Sequence, residues 1–478
     1  MQPSKQPTDI PNQTSQSTSS DPLFMPSADS VGTRLDDQEH YERLLGKDPR
    51  RLIIIRSPMR PDSGIEIDPG CKFERVIADL MDAPELQRLR HVQQLSGSWA
   101  AFPGARHSRF EHTIGSAKLT CEALASIKRN APSELNKHID DWGTIAVAFA
   151  MLHDIGHIAP GSHLAQKVWF PDSPDKHEEV SHALLQQCPG LIERLEGCLG
   201  HAGYQKLLDV VQEGKSATPV PGWTWQLIVG GGWNTDRGDW VKRDSKACGV
   251  RYGDYDQAII MKNLTITPQG DLAIKPAAIS ALASFFMARA QMHVNVYGDE
   301  TSRIGERLHE LIGFRARQLY SQDMLCFADS TVRAILSASE ITDVPAETLL
   351  EMTDSIWEYH VVQWSKSPSD PVLQTMCRQL LERDLPKSIN DEALIEHAKN
   401  KLQSLELPEQ YYITAYENKG PDLQKDLTEA LKVLESDGSV KPLEQCNKLF
   451  EAFTGIDNLE RPAFTAFHPS LIRDVPIN

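Results

Sequence analysis

The chain has eight cysteines, Cys71, Cys121, Cys188, Cys198, Cys248, Cys326, Cys377 and Cys446, and no two of them make a Cys-x-x-Cys pair. That absence excludes a zinc knuckle and argues against a disulfide framework; scattered thiols predict a reducing, cytoplasmic setting. Long apolar runs are missing as well. The longest, around Ile145 to Leu152, stops at His153 and Asp154, well short of the roughly 20 residues a membrane helix needs. The N-terminal residues are polar and carry no apolar signal core, and no internal repeat is visible. Nor is there a surplus of positive charge. The formal charge is −17, so the overall field does not attract a phosphate backbone, and any polyanion must be met by a local basic cluster or a bound cation. A membrane partner is excluded on this reading and nucleic acid is left open.

What is present is an ordinary globular composition, 40% apolar and 24% charged over 478 residues, enough for one large domain with appendages or for two to three domains. Residues 1–35 are rich in Ser, Thr, Gln and Pro and predict a disordered tail. The run "RLIIIRSPM" and the segment "SGIEIDPG" predict short strands, and "LTITPQGDLAI" predicts a hairpin around Gln-Gly-Asp. From "CKFERVIADLM" onward, apolar residues recur every three or four positions. Helices are expected over about 108–129, 140–156 and 177–197, then one long helical region through "AAISALASFFMARAQMHVNVYGDETSRIGERLHELI". "VGGGWNTDRGDW" reads as a glycine-rich loop leading into a helix. The predicted fold class is mainly α with minor β-hairpins and an α-helical C-terminal region at 311–478.

The stretch "AFAMLHDIGHIAPGSH" at 148–163 carries the chemistry. The residues before His153 are apolar on every side, the pattern of a helix buried all round. Burying a carboxylate beside an imidazole costs several kcal/mol unless both ligate a cation. Read as a continuing helix, the segment places His157 one turn beyond His153 on the same face. A His-Asp dipeptide alone says little: with 16 histidines, about one such pair is expected by chance. Two further segments change that. "FPGARHSRFEHTIGSAKL" puts His112 on a neighbouring helix, and "NTDRGDWVKRDS" puts Asp236 at a loop-to-helix junction. His112, His153, Asp154 and Asp236 form a mixed nitrogen and oxygen set, which suits Mn2+, Mg2+ or Fe2+ better than a structural zinc.

These segments resemble the HD-domain phosphohydrolases. More narrowly they resemble the deoxynucleoside triphosphate triphosphohydrolases, the dGTPase and sterile-alpha-motif-HD-like group. The likeness is carried by "PELQRLRHVQQLSGSWAAFPGARHSRFEHTIGSA", "MLHDIGH", "HEEVS", "TDRGDWVKRDSKACGVRYGDYD" and "ARAQMHVNVYGDE", in that order across about 50–310. It implies an HD phosphohydrolase domain over 36–310 and metal ligation by His112, His153, Asp154 and Asp236. It further implies that Arg109 contacts a phosphate and that His157 and His177 serve in catalysis, one of them protonating the leaving oxygen. Arg237, Trp240, Lys242 and Asp244 are expected to hold phosphates and sugar, and Arg289, His293 and Tyr297 to close the site. Gln94 and Leu95 are expected against a deoxyribose, where Leu95 leaves no room for a 2′-hydroxyl.

The implied reaction is hydrolysis of a dNTP to a deoxynucleoside and inorganic triphosphate, with a homo-oligomer and an effector nucleotide as implied partners. Two departures stand out. "IAPGSH" carries one residue more than the family's "GPFSH" before His163, and "GDE" (Gly298, Asp299, Glu300) follows Tyr297 where the family has basic or histidine residues. They keep two alternatives open: hydrolysis of another phosphate ester (a nucleoside monophosphate, cyclic dinucleotide or oligonucleotide) and non-catalytic nucleotide sensing.

Overall fold

A computed structural model describes residues 52–473, apart from 162, 174–176, 215–219, 418–426, 428–429, 449 and 451–462. The predicted tail at 1–35 lies outside the described residues. The chain enters through an antiparallel hairpin, β1 (Ile53–Ser57) and β2 (Arg60–Ile67), in which Ile53 faces Ile67 and Ile55 faces Ile65. The longer helices that follow are α1 (Lys72–Leu80), α2 (Arg109–Asn130), α3 (Asn136–Leu152), α4 (Leu164–Trp169), α5 (His177–Gln187), α6 (Pro189–Leu199), α7 (His201–Glu213) and α8 (Gly222–Ile228), with one helical turn at Pro84–Gln87 between α1 and α2.

Helix α3 is the centre of the architecture. Every residue from Ile145 to Leu152 is buried, because α1, α2, α7 and α8 pack around it. An all-round apolar helix is stable only with neighbours on every side, and each large side chain so covered contributes about 1.5–3 kcal/mol. The helix ends at Leu152, however, so His153 and Asp154 stand in the turn that follows rather than within a helix continuing to 156. Arg88, buried beneath the turn, donates to the Ile155 and His157 carbonyls. It thereby satisfies backbone acceptors that a continuing helix would have used.

The expected helix over 177–197 is two helices, interrupted at Cys188 where Pro189 opens α6; proline fits the first turn of a helix and not its interior. After the glycine-rich loop comes α9 (Thr235–Ala247), whose N-cap Asn234 accepts from Arg237 N at 2.7 Å and donates to Gly230 O at 2.6 Å. Helix α10 (Gln257–Lys262) precedes the hairpin of β3 (Leu264–Ile266) and β4 (Leu272–Ile274), in the predicted register around Gly270 at φ +87°. The long helical region is divided into α11 (Ile279–Met292), a π-turn over His293–Tyr297, and α12 (Glu300–Ser321). Asp299 caps α12 by accepting from Ser302 N at 3.0 Å.

Helix α12 runs through the expected boundary at 310. Beyond it come α13 (Ser330–Ser337), α14 (Ala346–Glu351), α15 (Asp354–Lys366), α16 (Pro371–Glu382) and α17 (Glu392–Ser404). Short strands accompany these helices. β5 (Lys387–Ser388), β6 (Ile413–Tyr416) and β9 (Phe464–Phe467) form one sheet in the order β5-β9-β6, while β7 (Lys432–Leu434) and β8 (Val440–Lys441) extend the β3–β4 hairpin, β7 running parallel to β4. The whole is mainly α with small sheets, as the periodicity predicts.

Candidate functional site

Three elements converge on one buried point. His112 sits in the first turn of α2, His153 and Asp154 follow α3, and Asp236 is in the first turn of α9. His112, His153 and Asp154 each offer a ligand atom within 4.8 Å of the others. The Asp236 carboxylate lies 3.0 Å from His112 Nε2 and 3.5 Å from His153 Nε2, and Asp154 lies 3.8 Å and 3.5 Å from the same two atoms.

The far side of each ring fixes its tautomer. His112 Nδ1 donates to Asp239 Oδ2 at 2.9 Å and His153 Nδ1 donates to Ala150 O at 3.0 Å. Both Nε2 lone pairs are thus turned inward. Both Nε2 atoms are buried, and neither makes a well-formed hydrogen bond with the carboxylates beside it. Asp239 is itself clamped by Arg243, whose Nε and Nη2 donate to its two oxygens at 2.7 and 2.8 Å. Glycine is needed at 115, one turn along α2, because a Cβ there would stand 2.1 Å from Asp239 Oδ1 and 2.2 Å from Arg243 Nη2.

The electrostatics agree with a cation site. Burial opposes a charge on His112, but the Asp236 and Asp239 carboxylates beside it outweigh it and raise the ring to about 10. Asp154, which burial would raise, is held well below the usual carboxylate range by His153, Arg109 and His157. Two ring nitrogens and two ionised carboxylates with inward lone pairs fit a divalent cation, which would stand in place of the proton the site otherwise retains.

Beside this centre is a second histidine group. His157, His163 and His177 bring ligand-type nitrogens within 4.8 Å of one another. His157 stacks on His177 at 4.2 Å between ring centroids, and His163 meets them edge-on at 5.2 and 5.7 Å. His163, left open by its shifted register, therefore reaches the group. Its membership does not come from helical spacing: His157 lies beyond the end of α3 and is brought back by the turn, with Nε2 3.5 Å from Asp154 Oδ1. Burial, Arg109 and His177 together push His157 well below the ordinary histidine range.

The remaining expected residues divide into those brought here and one that is not. Arg109, 3% exposed, pairs with Asp154 at 2.5 Å. Arg237 donates to Gly232 O at 2.9 Å. Arg289 is half-buried near Arg237, Tyr297 and Asp236, and desolvation and the Arg237 charge lower it to about 9. Trp240, His293 and Tyr297 form an aromatic group with centroids 5.2–6.1 Å apart. The Tyr297 hydroxyl donates to Asp244 at 2.7 Å, and Asp244 also meets His107 Nε2 at 2.8 Å. Gln94 and Leu95 are buried, with Gln94 N donating to His107 O at 2.9 Å, two residues before Arg109.

Lys242 is not brought to this cluster. On α9, Asp236, Trp240 and Asp244 recur every four residues on one face, whereas Lys242 falls on the other, its Nζ on Tyr255 O at 3.3 Å. Sequence reasoning missed Asp239, Arg243, His107 and Asp354. The signal for the first two was in "DRGDWVKRD": Asp239 and Arg243 stand at i and i+4, the spacing of a helical ion pair. Asp354 has no such signal; it comes from α15 and accepts from Gln93 N at 2.6 Å and Gly161 N at 3.2 Å.

No family model matches the chain. It is 27% identical over 321 residues to the uncharacterized protein YwfO of Bacillus subtilis, covering 65% of this chain and 67% of that protein. It is 32% identical over 174 residues to the deoxynucleoside triphosphate triphosphohydrolase SAMHD1 of Xenopus laevis, covering 35% of this chain and only 26% of that protein. An HD domain-containing protein of Acanthamoeba polyphaga mimivirus matches at 26% identity over 247 residues, 48% of this chain and 52% of that one. Among solved structures, a phosphohydrolase of Bacteroides thetaiotaomicron superposes with a TM-score of 0.71 at 25% identity, over 87% of this chain and 100% of that one. Together these likenesses support an HD-domain phosphohydrolase.

Proposed function

We propose that the protein hydrolyses deoxynucleoside triphosphates to deoxynucleoside and inorganic triphosphate. The observation that carries this reading is the placement of Arg109, Arg237 and Arg289 around the buried His112, His153, Asp154 and Asp236 set. It concentrates positive charge where an acidic chain of net −17 otherwise has none to spare. Those four residues would hold a divalent cation, Mn2+, Mg2+ or Fe2+, which supplies Lewis-acid polarisation of a phosphoryl oxygen.

The side chains do the rest. Arg109, Arg237 and Arg289 bind and orient the phosphates, and their charge is most effective where water is excluded. Water adds at the α-phosphorus, the bond to the 5′-oxygen breaks, and that oxygen must gain a proton. His157 is held neutral by its surroundings, so His177, stacked on it, is the donor, with His163 alongside. Trp240, His293 and Tyr297 wall the sugar and base side with Asp244, and Gln94 and Leu95 exclude a ribose. Lys242 has no part in this arrangement. The acidic Asp299 that follows the Tyr297 segment accepts from Ser302 N as the cap of α12.

A homo-oligomer with an effector nucleotide belongs to the same reading, and light scattering with and without dNTP tests it. Among the described residues no helix is long and apolar enough to cross a membrane, and all eight cysteines are free thiols, which supports a cytoplasmic setting. The decisive assay offers each of four dNTPs and four NTPs with Mn2+ and separates the products by chromatography. Inorganic triphosphate from dNTPs is the expected product. Pyrophosphate or single phosphates would instead move the protein to another HD subclass.

A further inference from the structure

The helices that follow α12 meet the site at the start of α15. Asp354 is the first residue of that helix and is 6% exposed. An acidic side chain in a first turn ordinarily serves the free N–H groups of its own helix. The Asp354 carboxylate is turned elsewhere. Its Oδ2 accepts from Gln93 N at 2.6 Å and its Oδ1 from Gly161 N at 3.2 Å. One buried carboxylate therefore satisfies two backbone donors from separate segments, one leading to Gln94 and Leu95 and the other to His163.

The contacts around this junction are close. Ala159 N donates to Met352 O at 3.1 Å. Trp169 Nε1 donates to Ala159 O at 2.7 Å, and its ring meets Trp357 of α15 edge-on at 5.2 Å. Gly161 lies directly on the Gln93 backbone, since a Cβ at 161 would stand 2.0 Å from Gln93 O. Gln93 also bridges Ser108, with Arg109 N on Val92 O and Gln94 N on His107 O, each at 2.9 Å. Gln93 is thus gripped by the Gly161 segment and α15 and by the segment that opens α2. Leu95, two residues on, is buried.

We propose that Asp354 is a positioning residue that sets the sugar selectivity of the site. By fixing Gln93 against Gly161 it places Gln94 and Leu95, and with them the wall that excludes a 2′-hydroxyl. The inference rests on the reading above that a deoxyribose lies against those two residues. It gives the C-terminal helices a share in choosing the substrate. Rejecting one hydroxyl by contact needs accurate placement, and an error of about 1 Å from a distant substitution can cost on the order of 10²-fold in rate. Asparagine at 354 keeps the shape of the carboxylate but only one of its acceptor oxygens, and its NH2 group would confront the second N–H.

The test is the ratio of kcat/KM for a dNTP to that for its NTP counterpart, measured with Mn2+ on the full chain. This ratio does not depend on how much of a preparation is folded, so a merely destabilised variant leaves it where it was. Asp354→Asn is expected to lower the ratio about tenfold while elemental analysis shows its metal content unchanged. Glu358→Gln, which removes an exposed charge one turn along the same helix, should keep the wild-type ratio. Hydrogen exchange supplies a readout apart from turnover: peptides containing Gln93 and Gly161 should exchange faster in Asp354→Asn. A wild type without dNTP preference would overturn the reading of Leu95, and this inference with it. A preference that survives intact in Asp354→Asn, or unchanged exchange at both segments, would overturn the inference alone.

Discussion

Two groups of histidines lie side by side in this protein, and their surroundings assign them different work. His112 and His153 are buried, each with Nδ1 tied to an acceptor and Nε2 turned toward carboxylates. His157, His177 and His163 form a graded series from buried through half-buried to exposed, packed ring on ring, with Asp154 as the carboxylate nearest His157. The lesson is that an imidazole becomes a ligand when its tautomer is fixed and its lone pair sealed in, and a proton carrier when it stands where protons can enter and leave. Sequence spacing alone does not separate the two, since His153 and His157 are neighbours in the chain.

The comparison breaks most sharply at His153. His153→Ala should strip bound metal and lower activity by on the order of 10³-fold or more, read by elemental analysis together with turnover. His177→Gln should keep the metal and lower turnover by roughly 10²-fold, with loss of one limb of the pH–rate profile. If His177→Gln also loses metal, the second group is part of the cation site and the division fails. If His153→Ala retains metal at full stoichiometry, the first group is not a ligand set at all.

Asp239→Asn sharpens the comparison at smaller cost. Removing the charge that orients His112 and faces Arg243 should reduce metal affinity or activity by about 10–100-fold without a change in the pH profile. That distinguishes the residue from the proton-handling group. An unchanged Mn2+ titration would mean His112 needs no such support.

How much of this was legible in the chain follows from the range of each interaction. The buried helix before His153, the β3–β4 hairpin and the glycine-rich loop leading into α9 rest on neighbours within a few residues, and the local sequence pattern shows them. The end of α3 was not visible, because it depends on Arg88 reaching up to the Ile155 and His157 carbonyls from far upstream. Lys242 was misplaced for the opposite reason. It lies within a motif dense in charge, and only the phase of α9 shows that it faces Tyr255 rather than the histidines. The strands beyond 387 were hidden because β9 pairs with β5 and β6 across long sequence separations.

Asp354 ties that distal region to the site. Its carboxylate accepts from Gln93 N and Gly161 N, next to Gln94 and two residues from His163. Burial raises its pKa to about 6, against the two backbone N–H donors that lower it. The unfolded carboxyl titrates near 3.9. Between about pH 4 and pH 6 the folded chain therefore holds a proton that the unfolded chain has released, and stability falls as pH rises through that window, levelling off above it. Asp354→Asn removes this ionisation. Urea unfolding from pH 4 to 7.5 should show wild type losing on the order of 2 kcal/mol relative to the variant across the window. Parallel curves would show that α15 fastens the Gln93 and Gly161 segments without a proton-dependent contact, leaving the two histidine groups as the chief pH-sensitive parts of the site.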